Sequence, residues 1–303
     1  MIGVCVVTYN QEQYIGQCIE SAITQVCSEP YVIYIGEDRS KDNTLEICRK
    51  FADEHPDKIK LVENKTNLGL VGNTINLLRI MQSDGCDYIA MLDGDDYWID
   101  DFKLEKEVKY LKEHPDYGLV HTQLHLLVNG NLQENKRMNV PSGYLFGKAG
   151  NDVSIGNNTV LFRTELLNHC NLDDFLSRKF MSVDYVMYMI FSKYTKIGFL
   201  DEFTAVWRRG HESVSNKNDV EKQIAYLQND DRAWKYLSEL FPEKISYDIP
   251  SVKNWINYRI FQIAFRAKDW KRANQAIADG FKVCSWKILL KRTFVRIFVL
   301  FNA

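Results

Sequence analysis

Three carboxylates crowd one short stretch of this 303-residue chain. Tyr88-Ile89-Ala90-Met91-Leu92 runs directly into Asp93-Gly94-Asp95-Asp96, followed by Tyr97 and Trp98. In an extended backbone residues two apart point the same way, so Asp93 and Asp95 share a face. Gly94 between them allows a tight turn and the close approach of a ligand. Carboxylates this near one another repel unless a cation lies among them. A hard divalent ion that takes oxygen ligands, its shell completed by phosphate oxygens, meets that requirement. A polar turn after a strand would carry the same residue types, so the surrounding chain has to decide between the two.

The apolar run before the acids suits a strand buried on both faces. Upstream, strand-like and helix-like segments alternate. Val4 to Thr8 reads as a strand, and Ile15, Cys18, Ile19, Ala22, Ile23 and Val26 form an apolar stripe at helical spacing. Tyr31 to Ile35 is a second strand, followed by a helix with Leu45, Ile47, Cys48 and Phe51 and with Asp42 as its cap. Ile59 to Val62 is a third strand, Asn64 to Gly72 a loop and Gly72 to Gln82 a helix. The alternation predicts an α/β fold, a mixed and mainly parallel sheet with helices on both faces. Such sheets bind ligands at the carboxyl ends of their strands. Three polar clusters fall there: Thr8-Tyr9-Asn10, Glu37-Asp38 and the acidic turn. Together they point to a nucleotide or phosphate site. Neither Gly-x-Gly-x-x-Gly nor Gly-x-x-x-x-Gly-Lys is present, which leaves phosphate neutralisation to a divalent ion.

The composition, 46% hydrophobic and 26% charged, supports a sizeable core and argues against disorder. The net charge of −2 hides an asymmetry: residues 251–303 carry +9 and the chain before them −11. A basic tail on an acidic body anticipates an anionic partner. The seven cysteines are odd in number and lack Cys-x-x-Cys spacing, which suits small core residues in a reducing compartment and no zinc site. Met1 leads into a strand without a charged leader, and no apolar run has the length of a membrane span.

Four segments in this order resemble the inverting glycosyltransferases of family 2, which have the GT-A fold. They are Val6-Val7-Thr8-Tyr9-Asn10 with Ser21-Ala22-Ile23-Thr24-Gln25, then Glu37 to Thr44, then Asn67-Leu68-Gly69 with Asn73, then Leu92 to Trp98. The resemblance covers about residues 1 to 215. It implies a nucleotide-sugar donor, with Thr8, Tyr9, Asn10, Glu37, Asp38, Asn67, Asp93 and Asp96 in the binding set. Thr8 and Tyr9 would line the base, Asp38 would accept a hydrogen bond from it, and Asp93 would lie near the ribose. Asp95 would hold Mg²⁺ or Mn²⁺ on the diphosphate. The family often has Pro where Val7 stands and Asp-Asp-Gly-Ser where this chain has Glu37-Asp38-Arg39-Ser40; the nucleotide the resemblance implies is UDP.

In the acceptor half, Phe102 to His114 reads as a helix, and Leu119 to Val128 and Ser154 to Phe162 as strands. Asn129 to Gly150 between those strands reads as a hairpin-like excursion or loop. The family places an acidic pair opening a helix where Val183-Asp184 stands, so Asp184 is the implied general base. A bare helix cap is the plainer reading of the same residue. Trp207-Arg208-Arg209-Gly210-His211 is similar to another family segment, which implies Arg208 and Arg209 on the diphosphate and His211 in the metal shell. From Val220 onward the chain is helical, and Asn254 to Phe281 forms a hairpin bent at Asp269-Trp270. Trp286 to Phe301 is basic and apolar, suited either to an anionic membrane surface or to packing on the body.

The expected organisation is a GT-A domain over residues 1–218 and a helical C-terminal region over residues 219–303. The expected partners are a nucleotide-sugar donor, a glycan or lipid-linked acceptor and an anionic membrane surface, with no nucleic acid. The expected location is cytoplasmic, peripheral at the inner face of the cytoplasmic membrane. A non-catalytic nucleotide-sugar or glycan-binding module of a membrane assembly is the alternative.

Overall fold

The structure, a computed structural model, describes residues 1–135, 142–146, 155–209, 220–243 and 249–283, with the side chains of 249–255 and 281–283 excepted. The chain divides into two compact units, Met1–Arg209 and Gly210–Ala303.

The first unit opens with β1 (Ile2–Thr8), α1 (Ile15–Ile23), β2 (Tyr31–Glu37), α2 (Thr44–Glu54), β3 (Ile59–Glu63), α3 (Gly69–Ser83) and β4 (Tyr88–Asp93). There follow β5 (Tyr97–Trp98), α4 (Lys103–Glu113), β6 (Tyr117–Val128), β7 (Asn131–Glu134), β8 (Val160–Arg163), α5 (Leu172–Ser177), α6 (Asp184–Tyr194) and β9 (Lys196–Arg209). One sheet runs β3-β2-β1-β4-β8-β6-β9-β5, with β7 beside β6. Its first four strands are parallel, and antiparallel pairings begin at β8.

Every residue of β1 is buried because the strand is covered on both faces. Ile2, Val4 and Val6 pack with Ile15, Cys18, Ile19 and Ala22 of α1 in one cluster. On the other face α3 comes so near that a Cβ on Gly3 would stand 2.7 Å from the Met81 sulfur. Truncating a buried aliphatic such as Ile19 in this layer costs about 2–5 kcal/mol. Cys5, Cys18, Cys48 and Cys86 are buried free thiols, as their apolar settings suggest.

Register then fixes the site. Thr8 stands beside Glu37, and Val7 beside Asp93, so the three polar clusters share one edge of the sheet. The sheet continues through β9, whose Val206 and Ala205 pair with Tyr97 and Trp98 of β5. Two-residue β5 has no readable periodicity, and long β9 was not anticipated as a strand. The sequence pattern predicts one strand from Ser154 to Phe162, but β8 starts only at Val160, and Asn157–Thr159 forms a 3₁₀ turn before it. Helix α3 begins at Gly69 rather than Gly72 because an acceptor outside it takes its first amides.

The second unit contains α7 (Val220–Leu240), α8 (Ile249–Arg266) and α9 (Trp270–Val283). The α8–α9 bend uses Lys268 at φ +59° and Asp269, whose carboxylate accepts from the Arg272 amide at 3.0 Å. Among the described residues no helix is long and apolar enough to cross a membrane. Trp286 to Phe301 lies outside the described residues.

Candidate active site

The acidic turn is built by close approach. Gly94 N donates to the Val7 carbonyl at 3.0 Å, and Asp96 N to the Asp93 carbonyl at 2.9 Å. A Cβ on Gly94 would stand 2.9 Å from both the Val7 carbonyl and the Thr8 Cβ. Gly94 is absent from the positive-φ glycines among the described residues, so it is needed for space and not for an unusual turn.

Asp96 is 3% exposed and fully engaged. Its oxygens accept from Asn158 Nδ2 at 3.0 Å and from the Arg208 backbone amide at 2.9 Å. Burial first, then the Asp95 and Asp93 charges, hold its carboxyl well above the ordinary range. Asp93 accepts from Asn157 Nδ2 at 2.9 Å. Burial, then Asp95, then Asp184 push the Asp93 carboxyl up to about 7. The acids of the turn therefore act on one another, Asp95 on both Asp93 and Asp96, and Asp184 on Asp93.

Asp184 is the first residue of α6. Val183 occupies the cap position, and the helix has no side-chain cap hydrogen bond. Among the described residues one carboxylate oxygen, Oδ1, is buried without a hydrogen-bond partner, and the cap position belongs to Val183, so Asp184 is not a plain cap. Val183 is itself buried in the core, so the apolar residue in place of the family's acid packs inward and leaves Asp184 where it is.

Arg208 departs from expectation. It is 9% exposed, with one guanidinium nitrogen on the Asp95 carbonyl at 2.6 Å and another on Gln17 Oε1. The guanidinium lies 4.5 Å from the Tyr97 ring centroid and 5.2 Å from that of Tyr14. It is engaged in holding the acidic turn. Arg209 lies over Trp207 at 4.5 Å. His211 falls outside the described residues.

Asp38 also has a different place from the one expected. It is 2% exposed, and its oxygens accept from the Leu68 amide at 2.7 Å, the Gly69 amide at 2.8 Å and Asn64 Nδ2 at 2.9 Å. A helix start leaves its first amides without partners, and Asp38 supplies them for α3 from another loop. Asn67 Nδ2 donates to the Asp38 carbonyl at 2.9 Å. Glu37 accepts from the amides of Arg39 at 3.2 Å and Ser40 at 2.8 Å, holding Arg39 at φ +63°. Both acids build the loops with their side chains. Asn10 ties the first loop to the second, through Ser40 Oγ at 2.9 Å and the Lys41 amide at 2.8 Å. Thr8 is buried on Gln11, while Tyr9 is 39% exposed and presents its ring at the edge.

Sequence reasoning missed four residues here. Asn157, Asn158, Tyr188 and Gln17 carry no motif; only the sheet brings them to the turn. Beneath it, Trp98 donates to the Asn158 carbonyl at 2.8 Å. Its ring takes the Lys103 ammonium at 4.7 Å, and Lys103 pairs with Glu107 at 2.5 Å with both side chains fully buried.

The donor set is all oxygen, which fits Mg²⁺ or Mn²⁺. Among the described residues no three His, Cys, Asp or Glu side chains converge tightly enough to chelate a metal alone. An ion at Asp95 would therefore need oxygens from a ligand, and the crowded charge with the unpartnered Asp184 oxygen favours its entry.

The model of the family described as Glycosyl transferase family 2 matches residues 3–169. The putative glycosyltransferase EpsE of Bacillus subtilis is 35% identical over 121 residues, covering 40% of this chain and 42% of EpsE. The chain spans about half the length of the curated relatives it matches. The structure of a Pyrobaculum calidifontis mannosyltransferase in complex with GDP-Man and Mn²⁺ is similar with a TM-score of 0.58 at 15% identity, over 99% of this chain and 80% of that one. S. aureus TarS 1–349 in complex with UDP gives a TM-score of 0.53 at 18% identity, over 94% of this chain and 92% of that one. At these identities the two structures speak for the fold, which is the GT-A fold.

Proposed function

We propose, from the premise that the chain belongs to glycosyl transferase family 2, that it moves a sugar from a nucleoside-diphosphate donor to a hydroxyl acceptor with inversion, in synthesis of a cell-envelope glycan. The observation that carries this reading is the meeting of Asp93, Asp95 and Asp96 at the carboxyl edge with the unpartnered Asp184 oxygen. Support for the donor class comes from the similar structures, one holding UDP and another GDP-Man with Mn²⁺. UDP is the favoured nucleotide.

Asp184 would take the proton of the acceptor hydroxyl as its oxygen attacks the anomeric carbon. The bond from that carbon to the diphosphate breaks on the opposite face, and its electron pair leaves with the phosphate oxygen. A positioned base of this kind contributes about 10²–10⁴-fold. Asp95 would hold Mg²⁺ or Mn²⁺, which offsets charge on the leaving diphosphate. His211 is proposed as a further ligand. Tyr9 would stack on the base, Asp93 would meet the ribose, and Arg209 would meet the diphosphate. Asp38 and Arg208 act one step back, through the loop at Asn67–Gly69 and the Asp95 peptide respectively.

The catalytic part is proposed as residues 1–218 and a helical region as 219–303, the latter meeting an anionic membrane surface through its basic end. A lipid-linked or glycan acceptor fits that arrangement. A thermal-shift panel of UDP, GDP and dTDP sugars with and without Mn²⁺ tests the reading, since stabilisation follows affinity. One donor should stand out, only with the metal, and should release nucleotide when incubated with the protein. No shift with any donor would remove the reading.

A further inference from the structure

We propose that Asn157 is a positioning residue: held by the Tyr188 hydroxyl, its amide fixes Asp93 and so sets the acidic turn against the helix that carries Asp184. The inference rests on the glycosyl-transfer reading of the site. Tyr188 Oη donates to Asn157 Oδ1 at 2.7 Å, and Asn157 Nδ2 donates to Asp93 Oδ1 at 2.9 Å. A side-chain amide has one accepting and one donating end. Asp93 accepts through Oδ1 and so takes the donating end, and the tyrosine hydroxyl donates to the other. The carboxylate sets which end of the amide faces it, and the hydroxyl, which then donates, holds the other end.

Tyr188 lies four residues after Asp184 in α6, which puts both on one face of the helix. Two hydrogen bonds therefore join the proposed base's helix to the end of β4. Asn158, next in sequence, gives a contrast. Its Nδ2 donates to Asp96 at 3.0 Å and to the Val206 carbonyl at 3.2 Å, so it ties the turn to β9. Asn157 alone among the two reaches across to α6. In-line displacement needs the attacking oxygen, the anomeric carbon and the leaving oxygen in register, and a misplacement near 1 Å costs about 10²-fold. The contacts of Asn157 and Tyr188 run to Asp93 and to each other, so their effect passes through Asp93 and the helix of Asp184.

The test is a double-mutant cycle of Tyr188→Phe and Asn157→Ala on the full chain. It reads nucleotide release with the sugar nucleotide that wild type turns over, and UDP–Mn²⁺ affinity by calorimetry. Each single variant should lose about 10- to 100-fold in kcat, with UDP–Mn²⁺ affinity weakened by less than that because Asp93 also meets the ribose. The double variant should be no slower than Asn157→Ala, because the hydroxyl acts only through the amide. Multiplying losses, or lowered melting temperatures with kcat intact, would overturn the proposal. Tyr188→Phe removes one hydroxyl from an otherwise unchanged ring, so it remains informative if Asn157→Ala does not fold. A wild type that neither binds nor turns over any donor sinks the transfer reading itself, whereas a working wild type with unchanged variants sinks only this inference.

Discussion

Two carboxylates stand at the mouth of the same sheet and both attend a helix start, yet they live opposite lives. Asp38 has both oxygens filled by the Leu68 and Gly69 amides and by Asn64. Asp184 opens α6 and, among the described residues, keeps a buried oxygen without a partner. A satisfied buried carboxylate gains from the fold and gives it order. An unsatisfied one costs the fold free energy, and such a cost is found where chemistry needs the group uncommitted. The difference separates scaffold from reagent at one edge of one molecule.

The sharpest way to break that contrast is to neutralise each acid in turn. Asp184→Asn should lower kcat by about 10²–10⁴-fold while the melting temperature holds, because no hydrogen bond is lost. Asp38→Asn should do the reverse: an unfolding free energy lower by about 1–3 kcal/mol in urea titration, with turnover retained by the folded fraction. Equal effects of the two on both readouts would erase the distinction.

A second experiment separates reagent from metal holder. Asp95→Ala should remove the Mn²⁺-dependent part of UDP binding in calorimetry, whereas Asp184→Asn should leave it intact. If both weaken binding alike, the two acids share one role.

Arg208 extends the scaffold side. Arg208→Met leaves the Asp95 carbonyl and Gln17 without their donor and removes a cation between two tyrosine rings. We expect about 1–3 kcal/mol lost in unfolding and a weaker Mn²⁺ response. A diphosphate-binding arginine would instead raise KM with stability unchanged.

The smallest effect tests whether lack of a partner suffices for a functional role. Among the described residues His121 has both ring nitrogens buried without a partner, but it is fully buried inside the sheet. Burial lowers its pKa to about 4. The unfolded chain therefore binds the proton that the fold refuses, so this stability is present above about pH 6.5 and is lost as pH falls toward 4. His121→Leu should flatten that part of the pH dependence in unfolding titrations between pH 7 and 4, by up to about 3 kcal/mol, without changing kcat. A loss of activity would give His121 a part that its place in the sheet does not suggest.

Legibility in the sequence follows the range of the interactions. The parallel half was readable because each strand is a short apolar run and each helix an apolar stripe, both local patterns. The acidic turn was readable because its residues are adjacent. Asp38 and Arg208 were identified as site residues, but whether a side chain faces outward or into the loop depends on partners 30 and 113 residues away. Asn157 and Tyr188 were invisible for the same reason, being 64 and 31 residues from the groups they bind. The antiparallel half was least readable: β9 pairs with β6 in parallel and with two-residue β5, and no local period announces either.

The most direct test of the account is manganese anomalous scattering from crystals grown with UDP and Mn²⁺. The account predicts one peak against the Asp95 carboxylate, the diphosphate upon it, and Asp184 facing the same space. A peak on Glu37 and Asp38, or none at the acidic turn, would contradict it.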